Sequence, residues 1–194
     1  TLVAVLLLSA SNVHSAAFRG VGANSPGCER LNGEQICIAV ALEGDIEDGD
    51  SQRLSTLISK VEAAVPKSRV GIIFLESAGG SVNEGIALGR FIRSRQIGTI
   101  IGKGEVCASA CVLVLAGGVT RMPAGEVVVH SFYSPSILGT GDFKKSEQEY
   151  TRVSELIRSY LLEVRVSAML LEEMMRIRSE ERRVGKECAT LCRS

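Results

Sequence analysis

A serine set among small side chains, Cys107-Ala-Ser109-Ala-Cys111, stands ahead of an apolar run, and His130 closes a second one, Val127-Val-Val-His130. A hydroxyl is a weak nucleophile until a neighbouring base takes its proton, and imidazole titrates in the right range to do so near neutrality. Ala108 and Ala110 add almost no bulk, so a substrate carbonyl can approach Ser109. A helix beginning there aims backbone N–H groups outward with partial positive charge, where a tetrahedral intermediate carries its negative oxygen. Upstream, Ser77-Ala-Gly79-Gly80-Ser81 is a glycine turn whose N–H groups can face that oxyanion or line an extended peptide. Nucleophile, base and anion-stabilising loop form an acyl-transfer set. Each part also has a plainer use: Ser109 as a helix cap, His130 as a buried histidine, the glycines as a tight turn.

Other chemistries fit less well. Gly80 and Gly85 have the spacing of a phosphate loop, but Ile86 stands where the lysine is needed, and no GxGxxG follows a strand. Lys plus Arg and Asp plus Glu are both 22, so no global field points to nucleic acid or an anionic membrane surface. Outside the last residues of the chain there are four cysteines: Cys28, Cys37, Cys107 and Cys111. Without a CxxC pair they make a poor zinc site, and no metal or cofactor is expected. Four cysteines allow three disulfide connectivities. The local pairing, Cys28–Cys37 with Cys107–Cys111, is the expected one, with small buried thiols as the alternative.

The elements that must position these groups alternate between strand and helix. Residues 37–42 and 70–75 read as strands, the second an unbroken apolar run of the kind buried on both faces of a parallel sheet. Residues 51–64 read as a helix with Leu54, Leu57, Ile58 and Val61 on one face, stopped by Pro66. Ser81 is placed to cap a helix reaching Arg95. A short strand over 97–101, a small-residue helix over 107–116, strand pieces at 119–122 and 126–130, and helices over 142–164 and 168–177 complete the series. The pattern predicts a single α/β domain with a largely parallel sheet. Ligands in such sheets bind past the carboxyl ends of the strands, where Gly79-Gly80 and Ser109 fall.

The ends read differently. Residues 1–17 begin with an apolar run and end in Ser15-Ala-Ala17, the pattern of a cleaved export signal. Further apolar residues ahead of Thr1 would make them a truncated membrane anchor and associate the chain with a membrane. His14 lies in this segment and does not compete with His130. Residues 18–35 are expected to be an irregular lead-in to a domain over 36–177. Residues 178–194 turn abruptly charged and resemble a translated sequencing adapter, so they are expected to be foreign to the domain.

Taken in order, Ser77-Ala-Gly-Gly-Ser-Val, Cys-Ala-Ser109-Ala-Cys, a helix, Gly-Gly, an Arg-containing turn and Val-His130 resemble the Clp-type serine peptidases of the ClpP/crotonase superfamily, over about residues 36–177. The closest likeness is to exported bacterial relatives that carry the Cys-x-Ser-Ala-Cys form. The resemblance implies repeated β-β-α units, assembly into homo-oligomers and peptide or protein substrates. It makes Ser109 the nucleophile, His130 the base, and the N–H groups of Gly80 and Ala110 the oxyanion hole. The third member, an aspartate after the long helix, should fall near or past residue 177 and has no assignment here. The family's usual Pro-Gly-Gly is Ala78-Gly79-Gly80, and Ala110 and Cys111 stand where Met and Gly usually follow the nucleophile. The expected activity is therefore an exported serine hydrolase, a peptidase working through an acyl-enzyme. Two alternatives accompany it: a non-catalytic oligomeric or peptide-binding scaffold, and a membrane-associated Ser-Lys peptidase with Lys144 or Lys145 as base.

Overall fold

The computed structural model describes residues 16–23, 36–132, 143–176 and 183–184. In chain order the elements are β1 (Ala17–Ala23), β2 (Ile36–Glu43), α1 (Asp50–Ala64), β3 (Ser68–Glu76), α2 (Val82–Ser94), β4 (Gly98–Ile101), β5 (Val106–Ala108), α3 (Ala110–Gly117), β6 (Arg121–Pro123), β7 (Glu126–Val129), α4 (Phe143–Glu163), α5 (Met169–Arg176) and β8 (Arg183–Val184). One sheet has the order β1-β2-β3-β4-β6, with β1 antiparallel to β2 and the remaining pairs parallel. The other has the order β5-β7-β8, with β5 parallel to β7. Among the described residues, a bridge from Ser77 to Cys107 connects the two sheets just beyond the end of β3.

The single mixed α/β domain agrees with the sequence pattern, and three local differences matter. The lead-in expected to be irregular supplies β1, whose Phe18 packs on the core. Cys107, expected inside a helix, lies in β5, because Val106–Ala108 finds a parallel partner in Glu126–Val128. Arg183–Val184, within the tail expected to be foreign to the domain, pairs antiparallel with Val128–Val129; an edge strand offers main-chain groups to any extended segment, so the pairing does not test that expectation. Residues 1–15 of the export signal expected over 1–17, Cys28, the start of the long helix at Asp142 and most of the tail lie outside the described residues.

Helix α3 is the centre of the core, and every one of its residues is buried. Its β-branched Val112 and Val114 lower helix propensity by less than about 0.7 kcal/mol each. Burying a Val or Leu side chain contributes about 1.5–3 kcal/mol, so burial decides where this segment sits and propensity does not. Helix α2 packs along it at glycine contacts: a side chain on Gly117 would collide with the Gly89 main chain. Polar anchors then fix α3 along its length. The buried Tyr160 of α4 donates its O–H to the Leu113 carbonyl at 2.8 Å, and Arg121 donates to Ala116 and Val164 carbonyls at 2.9 and 2.8 Å. The N-terminus of α3 is thereby held at the carboxyl ends of β3, β5 and β7.

Candidate active site

One residue separates β5 from α3, and it is Ser109. The chain changes from strand to helix there with φ 54° and ψ −121°, a conformation that L-residues with a Cβ avoid and that costs on the order of 1–3 kcal/mol. Its main chain is committed on both sides: the Ser109 N–H donates to Val128 O and the Val112 N–H donates to Ser109 O, both at 3.0 Å. Its hydroxyl has no hydrogen bond among the described residues. Ser109 occupies the N-cap position of α3, yet its side chain makes no capping bond, so the plain structural use of this serine is not realised. The side chain is half-buried between the buried Ala108 and Ala110.

The glycine turn lies against this elbow. Gly79 and Gly80 have φ 108° and 137°, which glycine alone adopts readily. A Cβ on Gly79 would stand 2.6 Å from the Ser109 Cβ and 3.1 Å from the Ala110 nitrogen; one on Gly80 would collide with the Ile46 carbonyl. The turn is tied on its far side to the loop after β2. The Ile46 N–H donates to Gly79 O at 2.7 Å and the Ser81 N–H to Ile46 O at 2.8 Å. Ser81 donates its hydroxyl to Asp48 at 3.0 Å and accepts from the Glu84 N–H at 3.3 Å. The Gly79 N–H is taken by the Ser77 hydroxyl at 3.1 Å. No acceptor among the described residues takes the N–H of Gly80. The N–H of Ala110, first in α3, likewise lacks an intrahelical partner.

His130 follows β7 directly. Cys107 pairs with Val127 and Ala108 with Val128, so Ser109 and His130 leave adjacent parallel strands at the same end. The His130 Nδ1 lies 2.8 Å from the Ser131 carbonyl oxygen. A carbonyl only accepts, so in the neutral ring Nδ1 carries the proton and Nε2 keeps its lone pair. Among the described residues, no hydrogen bond joins the Ser109 hydroxyl to the imidazole and no carboxylate bonds to His130. Lys144 and Lys145 are exposed in the first turn of α4.

The cysteines expected to pair locally do so at the elbow: Cys107 and Cys111 form a disulfide with a Cα–Cα distance of 5.3 Å. Cys37 is disulfide-bonded as well, while Cys28 lies outside the described residues. No group of three or more His, Cys, Asp or Glu among the described residues could hold a metal ion. Three contributors were not singled out from the sequence: Ser77, which joins β3 to β5; Ile46, which pins the glycine turn; and the Ser131 carbonyl. All three act through the main chain, which side-chain identity does not reveal, and Ser77 adds its hydroxyl. Gly79, treated only as part of a turn, is the residue that touches the elbow.

Comparison with known proteins bears on the fold and the family. No curated protein matches the chain. Among solved structures, a point mutant of ClpP1 from Listeria monocytogenes superposes with a TM-score of 0.54 at 17% identity, covering 79% of this chain and 88% of that one. The family model described as Clp protease matches residues 28–175, a span holding the glycine turn, the elbow and His130. The chain belongs to the Clp protease family.

Proposed function

We propose that this protein is a serine peptidase acting through Ser109. The single observation that carries the reading is the Ser109 hydroxyl itself, uncapped and uncommitted on a strained residue at the mouth of a buried helix. In the proposed cycle the His130 Nε2 takes the hydroxyl proton as Oγ attacks the scissile carbonyl. The N–H groups of Gly80 and Ala110 hold the resulting oxyanion, and His130 returns the proton to the leaving amine. Water then enters by the same route in reverse and releases the acyl group. The N–H groups suit this role because no acceptor among the described residues takes them, and the ring suits it because its proton sits on the far nitrogen.

Labelling by a fluorophosphonate probe tests the reading: covalent capture at Ser109 in the wild type, absent in Ser109→Ala, is expected. A wild-type protein that neither labels nor cleaves peptides would remove it. A non-catalytic peptide-binding scaffold is the second reading, favoured by the absence among the described residues of a carboxylate bonded to His130, and peptide binding unchanged in Ser109→Ala without turnover would select it. Export is part of the proposal, supported by the disulfides at Cys107–Cys111 and Cys37, which persist in oxidising compartments. Mass analysis of the N-terminus of protein recovered outside the cytoplasm tests that part. Homo-oligomerisation, supported by family membership, is tested by light scattering of the purified chain. No helix among the described residues is long and apolar enough to cross a membrane.

A further inference from the structure

The disulfide at the elbow brackets the nucleophile symmetrically. Cys107 is the middle residue of β5, Cys111 the second residue of α3, and Ser109 lies midway between them. Both sulfur-bearing residues are fully buried, at 0% exposure, so the bridge lies under the turn and leaves its mouth open. A residue with a Cβ at φ 54° persists only where its surroundings over-determine it. Helix α3 is buried along its whole length, but no side-chain hydrogen bond holds the turn at Ser109 itself among the described residues. Ala108 and Ala110 have little side chain to pack, no side chain caps the helix, and the turn is carried by main-chain bonds alone: Ala108 N–H to Ser77 O, Ser109 N–H to Val128 O and Val112 N–H to Ser109 O. The equivalent turn after β3 is held by Ser81, Asp48, Glu84 and both polar groups of Ile46.

We propose that the Cys107–Cys111 disulfide is the positioning element that holds Ser109 in its strained, reactive conformation, so that nucleophilicity at Ser109 depends on the bridge. The inference rests on the reading of Ser109 as nucleophile. It adds that the covalent link, rather than packing, sets the direction of Oγ. A strand and a helix joined through a bridge across five residues cannot swing apart, and relaxation of Ser109 toward an ordinary strand or helix conformation would require that swing.

The test uses the full chain, wild type and Cys107→Ala/Cys111→Ala, with Cys37→Ala as the control for disulfide loss elsewhere. The expected result is a fall of about 10²-fold in the rate of fluorophosphonate labelling for the double variant, the loss that a misplacement near 1 Å produces. In peptide hydrolysis the loss should appear in kcat with KM little changed, since peptide-binding groups stay in place. Cys37→Ala should label like the wild type. Amide hydrogen exchange supplies a readout independent of activity: residues 105–118 should exchange faster in the double variant, with α2 unaffected. Treating the wild type with a water-soluble phosphine covers the case in which the variant fails to fold. The phosphine takes an oxygen from water as its oxide, two electrons and two protons pass to the disulfide, and two thiols result. Exchange at 105–118 should rise and be restored on reoxidation. Equal labelling rates for wild type and double variant would overturn the inference and leave Ser109 as the nucleophile. A wild type that does not label removes the nucleophile reading instead, and exchange at 105–118 then decides the positioning role alone. Unchanged exchange, or free thiols at both positions in the purified protein, would overturn it.

Discussion

Two serines stand at the mouths of helices at the carboxyl ends of parallel strands, Ser81 before α2 and Ser109 before α3, and the fold uses them differently. Ser81 has an ordinary extended conformation, φ −64° and ψ 117°, and its hydroxyl both accepts from the Glu84 N–H and donates to Asp48. Ser109 has a strained conformation and a hydroxyl with no capping bond. A cap contributes about 1 kcal/mol of stability. At Ser109 that contribution is forgone and a strain of the same order is added, which leaves a hydroxyl without a capping bond, as the proposed nucleophile requires. The difference teaches how to separate a structural serine from a chemical one: by what the hydroxyl already bonds to, not by its position in the chain.

The widest test of that contrast is to remove each side of the strained serine. Ser109→Ala is expected to lower kcat by at least about 10⁴-fold, the scale of losing a triad nucleophile. Its thermal midpoint should stay close to the wild type, because no capping bond is lost. Ser109→Gly should be equally inactive but more stable, by about 1 kcal/mol, because relief of roughly 1–3 kcal/mol of strain exceeds the glycine entropy cost of about 0.5–1 kcal/mol. Peptide hydrolysis and urea unfolding of the two variants check both halves, and an unchanged or lower stability for the glycine variant would break the contrast. Next in size is Gly79→Ala. Its new methyl meets the Ser109 Cβ at 2.6 Å on a backbone that disfavours it. The expected losses are about 10²–10³-fold in labelling rate, as for a displaced oxyanion donor, and about 2–4 kcal/mol in unfolding free energy.

The sequence pattern displayed much of this. Strand–helix alternation, the apolar run of β3, the Ser81 cap and the order of glycine turn, serine and histidine follow from local residue types. The pairing of Cys107 with Cys111 was one of three connectivities that four cysteines allow, and spacing alone did not select it. What stayed hidden depends on non-local pairing. Val106–Ala108 is too short to show a period, and its strand character comes from Glu126–Val128 alongside it. Residues 18–23 looked irregular because Gly20 and Gly22 weaken strand propensity, yet β2 gives them a register. The strain at Ser109 and the commitment of the Ser131 carbonyl to His130 are main-chain facts that no side-chain pattern carries.

On the structural side of the contrast the effects are smaller. Ser81→Ala should lose about 1 kcal/mol of stability with labelling at Ser109 unchanged. Its main-chain bond to Ile46 survives and continues to hold the glycine turn. A large loss of labelling would mean that the cap and the oxyanion loop are one unit, and the separation drawn between the two serines would fail.

The smallest expected effect has a pH signature. Glu84, in the first turn of α2, accepts from the Ser51 N–H at 2.6 Å. Burial pushes its carboxyl up, but the hydroxyl and N–H of Ser51, the N–H of Gly49 and the Arg53 charge together hold it below the ordinary 4.5. The folded state therefore binds the proton less readily than the unfolded chain. The resulting stabilisation is complete above the unfolded value and is lost as pH falls through the lower folded value. Glu84→Gln keeps an acceptor for Ser51 and removes the charge near the helix N-terminus, a loss of about 0.5 kcal/mol near pH 7. Urea midpoints of the two proteins should converge as pH drops below 4.5. Asp50 has the opposite slope, since burial, against the bonds from Glu47 and Arg53, pushes its carboxyl up, but it is present in both proteins and largely cancels in the difference. Midpoints that stay parallel down to low pH would show that the Glu84 charge does not brace the Ser81 turn, leaving the cap and Ile46 to hold it.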